Sequence, residues 1–458
     1  MNGRMIGAED VLDGEVPPAS VEPEPLDPGE RTMFRTGVDV AIAVLITVVA
    51  VVAGFVVWQT GSVRSTSSQT NPNPVAAPEN PTVFPPSLAE AWRTRSSGTQ
   101  QPVAVGPVVV TGEGGEVAGR NPITGDVLWR YTRNLPLCTI APAWSLAVAV
   151  FRTEGNWLPA KDSRSSGGCS EVTALDPATG LRGRQRPPEE PVQKPNGGER
   201  NSDAELGTRL LADGTYVTTT GHRLLTTWRD DLVQTMEYGE LPSLVNPGKQ
   251  PRTGCGYGSV AVAPVKIGVI ERCPTDLGDR LTVYRSVGND NKADEPPVVF
   301  SVVVGARARV VALSDNRTAV ALPDPSRLLV FDETGKQLNE YPLDVPDTDF
   351  NGDPDGLVVP VTKGPGIDYW WTGSRTIALH GVDLYPLWTQ QGTLGPGVVF
   401  AGRGLLPVPD GIRVVDVATG QPVGTFPVDR GGYAGPVMMS SIGPMVLEQR
   451  GPDLVALR

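Results

Sequence analysis

The stretch "VAGRNPITGDVLWRYT" (Val117–Thr132) is two short alternating apolar runs joined by a tight turn. Asn121 opens the turn, Thr124 follows three residues later, and Gly125 closes it. An Asn or Asp oxygen at the first position accepts hydrogen bonds from the backbone two residues on. The Thr hydroxyl does the same, and Gly supplies the positive φ. The stretch predicts a β-hairpin. It returns as "VTALDPATGLRGRQR" (Val172–Arg186), "LLVFDETGKQLNEYPL" (Leu328–Leu343) and "IRVVDVATGQPVGTFPV" (Ile412–Val428), with weaker copies from Arg223, Leu281 and Thr376. Successive copies lie about 35 to 57 residues apart, the range of four-stranded propeller blades with insertions.

The whole composition agrees. Among 458 residues, 53 Gly and 45 Pro favour many turns and short strands over long helices. The chain ends in "DLVALR" (Asp453–Arg458), a first hairpin strand with no partner after it, while "LAEAWRTRS" (Leu88–Ser96) is a second strand with none before it. Pairing the two would close the ring and remove its exposed edges. Seven internal hairpins and this split one make eight blades, with seven the alternative where the weak copies fail. The expected fold is all-β, an eight-bladed propeller.

The repeats "ALDPATG" and "GRNPITGDVLWRYT" resemble those of the pyrroloquinoline-quinone (PQQ)-type β-propellers, and the resemblance covers most of residues 87–458. It implies that a Trp four residues after the turn Gly docks neighbouring blades, a position held by Trp129 and approximated by Trp92 and Trp388. Arg184 and Asn339 stand there in other repeats, so docking is expected to be degenerate. It also implies an architecture without the cofactor. The quinone dehydrogenases of this family use a calcium ion, a catalytic Asp and a disulfide between adjacent cysteines, and no two cysteines are adjacent here. PQQ is not expected, since fold does not imply function.

Val38–Trp58 reads "VDVAIAVLITVVAVVAGFVVW", apolar but for Asp39. A helix needs roughly 20 such residues to cross a bilayer, and a signal-peptide core is shorter. The expected organisation is a disordered acidic tail at 1–37, a transmembrane helix at 38–58, a Pro- and Ser-rich linker at 59–86, and the propeller at 87–458. Arg31 and Arg35 before the helix outnumber Arg64 after it, which places the N-terminus in the cytoplasm. Cys138, Cys169, Cys255 and Cys273 all follow the helix, suggesting two disulfides in an oxidising compartment. Three pairings exist, and the spacing suggests Cys138–Cys169 and Cys255–Cys273.

His222 and His380 are the only histidines, and no nucleophile–base set accompanies them. An enzyme is not expected. Net charge is −12 without a basic cluster, which argues against nucleic acid. The loop "DTDFNGDPDG" (Asp347–Gly356) carries one candidate metal site. It resembles the short calcium loops of integrin-type propellers, which implies side-chain oxygens from Asp347, Asp349, Asn351 and Asp355 and the carbonyl of Asp353. As an EF-hand loop it lacks the bidentate Glu, since Val358 stands at position twelve. The alternative is an inter-blade loop whose acids water screens. Taken together, the expected role is a membrane-anchored, non-catalytic scaffold for an envelope or membrane protein in a bacterial cell envelope. The alternative is an ectodomain sensing a sugar or peptide in the central funnel.

Overall fold

Each repeated hairpin contributes the outer half, or at least the third strand, of a four-stranded antiparallel sheet in the computed structural model, which describes residues 36–60, 66–153, 168–183, 197–199, 207–240, 249–250, 252–288 and 292–458. Eight such sheets follow one another: blades one to eight at 103–133, 137–199, 210–239, 256–305, 309–342, 361–391, 398–427 and 437–457. The first strand of each blade is innermost. The ring closes as its ends imply, because Glu90–Arg95 pairs antiparallel with Asp453–Leu457 and becomes the outer strand of blade eight.

The turn chemistry is as the residues dictate. Asp176 Oδ1 accepts from the amides of Ala178 and Thr179 and from the Thr179 hydroxyl, at 2.8–3.0 Å, and Gly180 closes the turn at φ 73°. Asp416 repeats these bonds with Ala418 and Thr419. Blade two departs from expectation after its turn. Gly183, at φ 94°, leaves the ladder after a single Leu175–Arg182 bridge, and the outer strand is Gly197–Glu199 instead.

Eight clusters of buried apolar side chains correspond to the eight seams between blades. The core is therefore a ring of inter-blade layers, as expected for sheets that each bury both faces. Trp92, Trp129 and Trp388 each sit on the turn of the following blade. Their indole N–H groups donate to the carbonyls of Pro122, Pro177 and Val417 at 2.7–2.9 Å. Their rings cover Gly125, Gly180 and Gly420, where a Cβ would come within 2.8 Å of the indole. Phe300 does the same for Gly335 in the seam from blade four to five. No Trp pattern in the sequence marks Phe300.

The expected linker at 59–86 is corrected for most of its length. Thr66–Gln69 forms a fifth strand on the outer edge of blade one, paired with Arg130–Arg133. Beyond it, Asn71 donates its amide to Thr179 O in blade two, Pro78 lies against Gly443 in blade eight, and Phe84 stacks on Phe426 in blade seven. Strand-edge pairing and aromatic burial outweigh the extended bias of the prolines. Phe84 also supplies an aromatic ring to the seam where blade seven carries Gly424 four residues after its turn Gly.

The N-terminal unit is a separate helix, Thr36–Thr60, with Asp39 in its first turn. Gly37–Phe55 is long and apolar enough to cross a membrane, and its described side chains are exposed. Of the expected tail at 1–37, residues 36 and 37 belong to the helix, while residues 1–35, Arg31 and Arg35 among them, and the positions of Arg64 and Arg184 lie outside the described residues.

Candidate functional site: the mouth of the ring

In each blade the second-to-third strand turns and the links between blades emerge on one face, here called the mouth. The hairpins between first and second strands and the Asp-x-x-Thr-Gly turns emerge on the underside. Both disulfides, Cys138–Cys169 and Cys255–Cys273, form with the pairing that spacing suggested, and all four cysteines lie at the mouth ends of their strands. They staple blades two and four, each within itself.

The acidic loop lies on this face, between the last strand of blade five and the first of blade six. It is an inter-blade loop, one of the two readings of the sequence, and it is fastened along its length. It is a strap that leaves blade five, reaches blades four and three, and returns to blade six. Two short 3₁₀ turns, Asp347–Phe350 and Asp355–Leu357, each follow a proline. Asp347 pairs with Arg307, and Asp349 Oδ2 accepts from Thr372 Oγ1, Ser374 Oγ and the Ser374 amide at 2.5–3.1 Å. Asp353 forms a bidentate pair with Arg272 in blade four at 2.6 and 2.8 Å. The Arg309 guanidinium donates to the carbonyls of Asp349 and Gly352 and lies 5.2 Å from the Phe350 ring centre. The Gly356 carbonyl accepts from Thr220 Oγ1 of blade three at 2.7 Å.

The five expected calcium ligands are therefore not brought together. Three of the carboxylates point to different blades, each held by a cation or hydroxyls, and Asp355 is exposed near Arg209. Among the described residues no group of three or more Asp, Glu, His or Cys side chains converges as a metal site would. The hydrogen bond to Asp353 is the chief cause that holds the Arg272 pKa above its usual value. Pairing with arginine relieves the repulsion that would otherwise call for a cation.

The strap also fills two seams. Phe350 is buried between blades five and six, and Leu357 between blades three and four. Gly356 and Leu357, at φ 61° and 59°, form the reversal that drives Leu357 inward.

Above the strap lies an open basin of about 850 Å³, and below it a channel cavity of about 270 Å³ lined by the inner strands. Val358, Pro360 and Arg209 border both. Lys363 of blade six spans part of the channel and donates to Val262 O of blade four at 3.2 Å. Arg209, just before the first strand of blade three, stands at the neck between the two spaces. Its Nε is shut from solvent and finds no acceptor among the described residues, and burial pushes its pKa down to about 10 against the field of Asp355. His222 is exposed on the basin rim. His380 lies on the underside, stacked on Tyr385 and 3.5 Å from Asp383.

No family model and no curated protein matches the chain. Among solved structures, BamB from Moraxella catarrhalis superposes with a TM-score of 0.47 at 13% identity, covering 81% of this chain and 99% of its own. Sqt1 from Saccharomyces cerevisiae gives 0.47 at 8% identity, covering 85% and 99%. These values carry nothing about partners or chemistry. The eight closed sheets establish the fold by their strand pairing alone.

Arg209, Phe300 and the seam-filling role of the strap escaped the sequence. An Arg in the run "GTRLLADGTY" (Gly207–Tyr216) looks like any strand-edge charge. A Phe opposite a turn Gly could have been sought as a Trp substitute, and the apolar Leu357 and Phe350 within an acidic loop were a usable sign that the loop is packed.

Proposed function

We propose that this chain is a single-pass membrane protein whose propeller, on the extracytoplasmic side, binds a protein partner at the mouth face without catalysing a reaction, as in the non-catalytic branch of the PQQ-type propellers. The observation that carries the proposal is the one-sided elaboration of the ring. Both disulfides, the strap and the large basin share the mouth face, while among the described residues most underside connections are short turns. Loops on a rigid scaffold are where binding functions concentrate. Two closed disulfides agree with an oxidising compartment beyond the helix, and the helix supplies an anchor.

A second reading has one observation in its favour. A basin of about 850 Å³ lies within the size range of small-molecule sites, so a sensor for a small ligand would use the same mouth.

The test is purification of the tagged full-length chain from its own membranes in mild detergent, wild type beside a variant with Ser97→Glu and His222→Glu on the exposed rim. A stoichiometric protein lost from the variant supports the scaffold. Wild-type protein that elutes alone opposes it and favours the sensor.

A further inference from the structure

We infer that the basin receives a carboxylate, offered by an acidic side chain or chain terminus of the partner, on the guanidinium of Arg209. This deepens the proposal that the mouth binds a partner and rests on it. Several other arginines enclosed by protein have carboxylates at bonding distance, and Arg120 and Arg309, half-buried like Arg209, spend their guanidinium groups on hydroxyl and carbonyl oxygens. Arg133 bonds Glu171 at 2.7 Å, Arg252 bonds Glu271 at 2.9 Å, and Arg430 and Arg450 share Glu448 at 2.7 Å. Arg133–Glu171 joins blades one and two, Arg430 also bonds carbonyls of blade seven, and the Arg252 and Arg450 pairs lie at or within a single blade. Arg209 makes no such ion pair, and its Nε meets no acceptor, among the described residues. A charge enclosed by protein without a partner is costly, and a planar guanidinium fork is matched by a planar carboxylate bound through two parallel hydrogen bonds.

The side chain is held ready. Gly356 presses on its stem so closely that a Cβ there would come 2.8 Å from Arg209 Cγ, and the Thr220 hydroxyl pins the Gly356 carbonyl. Placement of this kind removes ordering cost from the binding step. With a pKa of about 10 the group remains charged at neutral pH.

The surroundings favour a monoanion. Asp355 stands near enough to act on Arg209 through its field without bonding it, and it would repel a phosphate dianion more than a carboxylate. The phosphate cradles built from successive backbone N–H groups are not what borders Arg209, which is met by the Gly207 and Gly356 backbone and the inner strands. Half-buried Trp371 and Tyr433 line the same basin and offer apolar surface to the rest of a peptide.

The experiment is thermal melting of the full-length protein in detergent at constant ionic strength. The probes are acetate, inorganic phosphate, chloride, and an N-acetyl tripeptide with either a free C-terminal carboxylate or a C-terminal amide. Acetate and the peptide acid raise the wild-type melting temperature saturably, and chloride and the amide do not. A peptide acid active at lower concentration than acetate marks a protein source, and equal potency marks a free acid. Arg209→Gln melts above the wild type without ligand, because the uncompensated charge is gone, and responds to no probe. Asp355→Asn lowers the half-saturating acetate concentration about two- to fivefold, the worth of one nearby screened charge. The inference is overturned if acetate stabilises wild type and Arg209→Gln equally, if phosphate outperforms acetate, or, should Arg209→Gln not fold, if Asp355→Asn leaves half-saturation unchanged. A partner still captured at the mouth after any of these results would leave the broader proposal standing without Arg209 as its anchor.

Discussion

Replacing Trp129 by Ala removes the most fully buried of the docking rings. The side chain is 1% exposed, lies on Gly180 of the next blade, and donates to Pro177 O at 2.7 Å. Loss of a buried Trp costs about 3–5 kcal/mol, and the orphaned Pro177 carbonyl is part of that cost. For a cooperative unit the size of Ser65–Arg458, unfolding entropy is roughly 0.8 kcal/mol per degree. The melting temperature should fall by about 4–6 °C. Gly180→Ala supplies the internal check. It suffers both a positive φ of 73° and a Cβ that would sit 2.7 Å from the indole. In the Trp129→Ala background the clash disappears, leaving only the backbone cost of about 1 kcal/mol. Differential scanning calorimetry on the four proteins of this cycle gives the coupling directly. A Trp129→Ala protein melting within a degree of wild type, or a Gly180→Ala penalty equal in both backgrounds, would refute inter-blade docking through this ring.

The strap should be held more by its apolar residues than by its charges. Leu357→Ala costs about 2–4 kcal/mol, whereas Arg272→Ala, which breaks a half-exposed pair, costs at most about 1 kcal/mol; denaturant titration separates the two, and the reverse order would contradict the packing account. Addition of a calcium chelator leaves the melting temperature unchanged, and a calcium-dependent rise lost on Asp349→Ala would restore the loop as a metal site. Reducing the disulfides, whose cysteines are 31 and 18 residues apart, lowers stability by about 3–4 kcal/mol each on the loop-closure argument; equal melting with and without reductant would contradict it. Burial raises the pKa of Asp368 to about 6, so the folded state holds a proton that the unfolded state has already lost between about pH 4 and 6. Stability from this group is full below that window and falls as pH rises through it. Asp368→Asn should therefore flatten the decline and stabilise the protein at pH 7 by roughly 2–3 kcal/mol; an unchanged pH profile would show that Asp368 is not the source.

Much of the ring was legible because its signals are local. Hairpin turns depend on Asp, Thr and Gly within five residues, and the closing strand pair was visible as two unmatched halves at Leu88–Ser96 and Asp453–Arg458. What fastens the strap was not legible because its partners are distant in sequence. Asp353 meets Arg272 and Asp347 meets Arg307 only after blades four and five stand side by side. Alternating acids around Gly352 resemble a metal loop equally well before those arginines are placed. The packing of residues 66–86, within the expected linker at 59–86, is hidden for a related reason. Their composition is that of a linker, and what holds them is the outer edge of blade one and the exposed face of Phe426. Arg209 could not be singled out from sequence, since its significance is the lack of a partner.

The most direct measurement is site-specific photocrosslinking in living cells, with the probe placed in turn at Ser97 and His222 on the mouth and at Val265 and Asn316 on the underside, all exposed positions. The account predicts one discrete crosslinked protein from the mouth positions and none from the underside. The same product from the underside alone, or no product from either face, would contradict a propeller that works through its mouth.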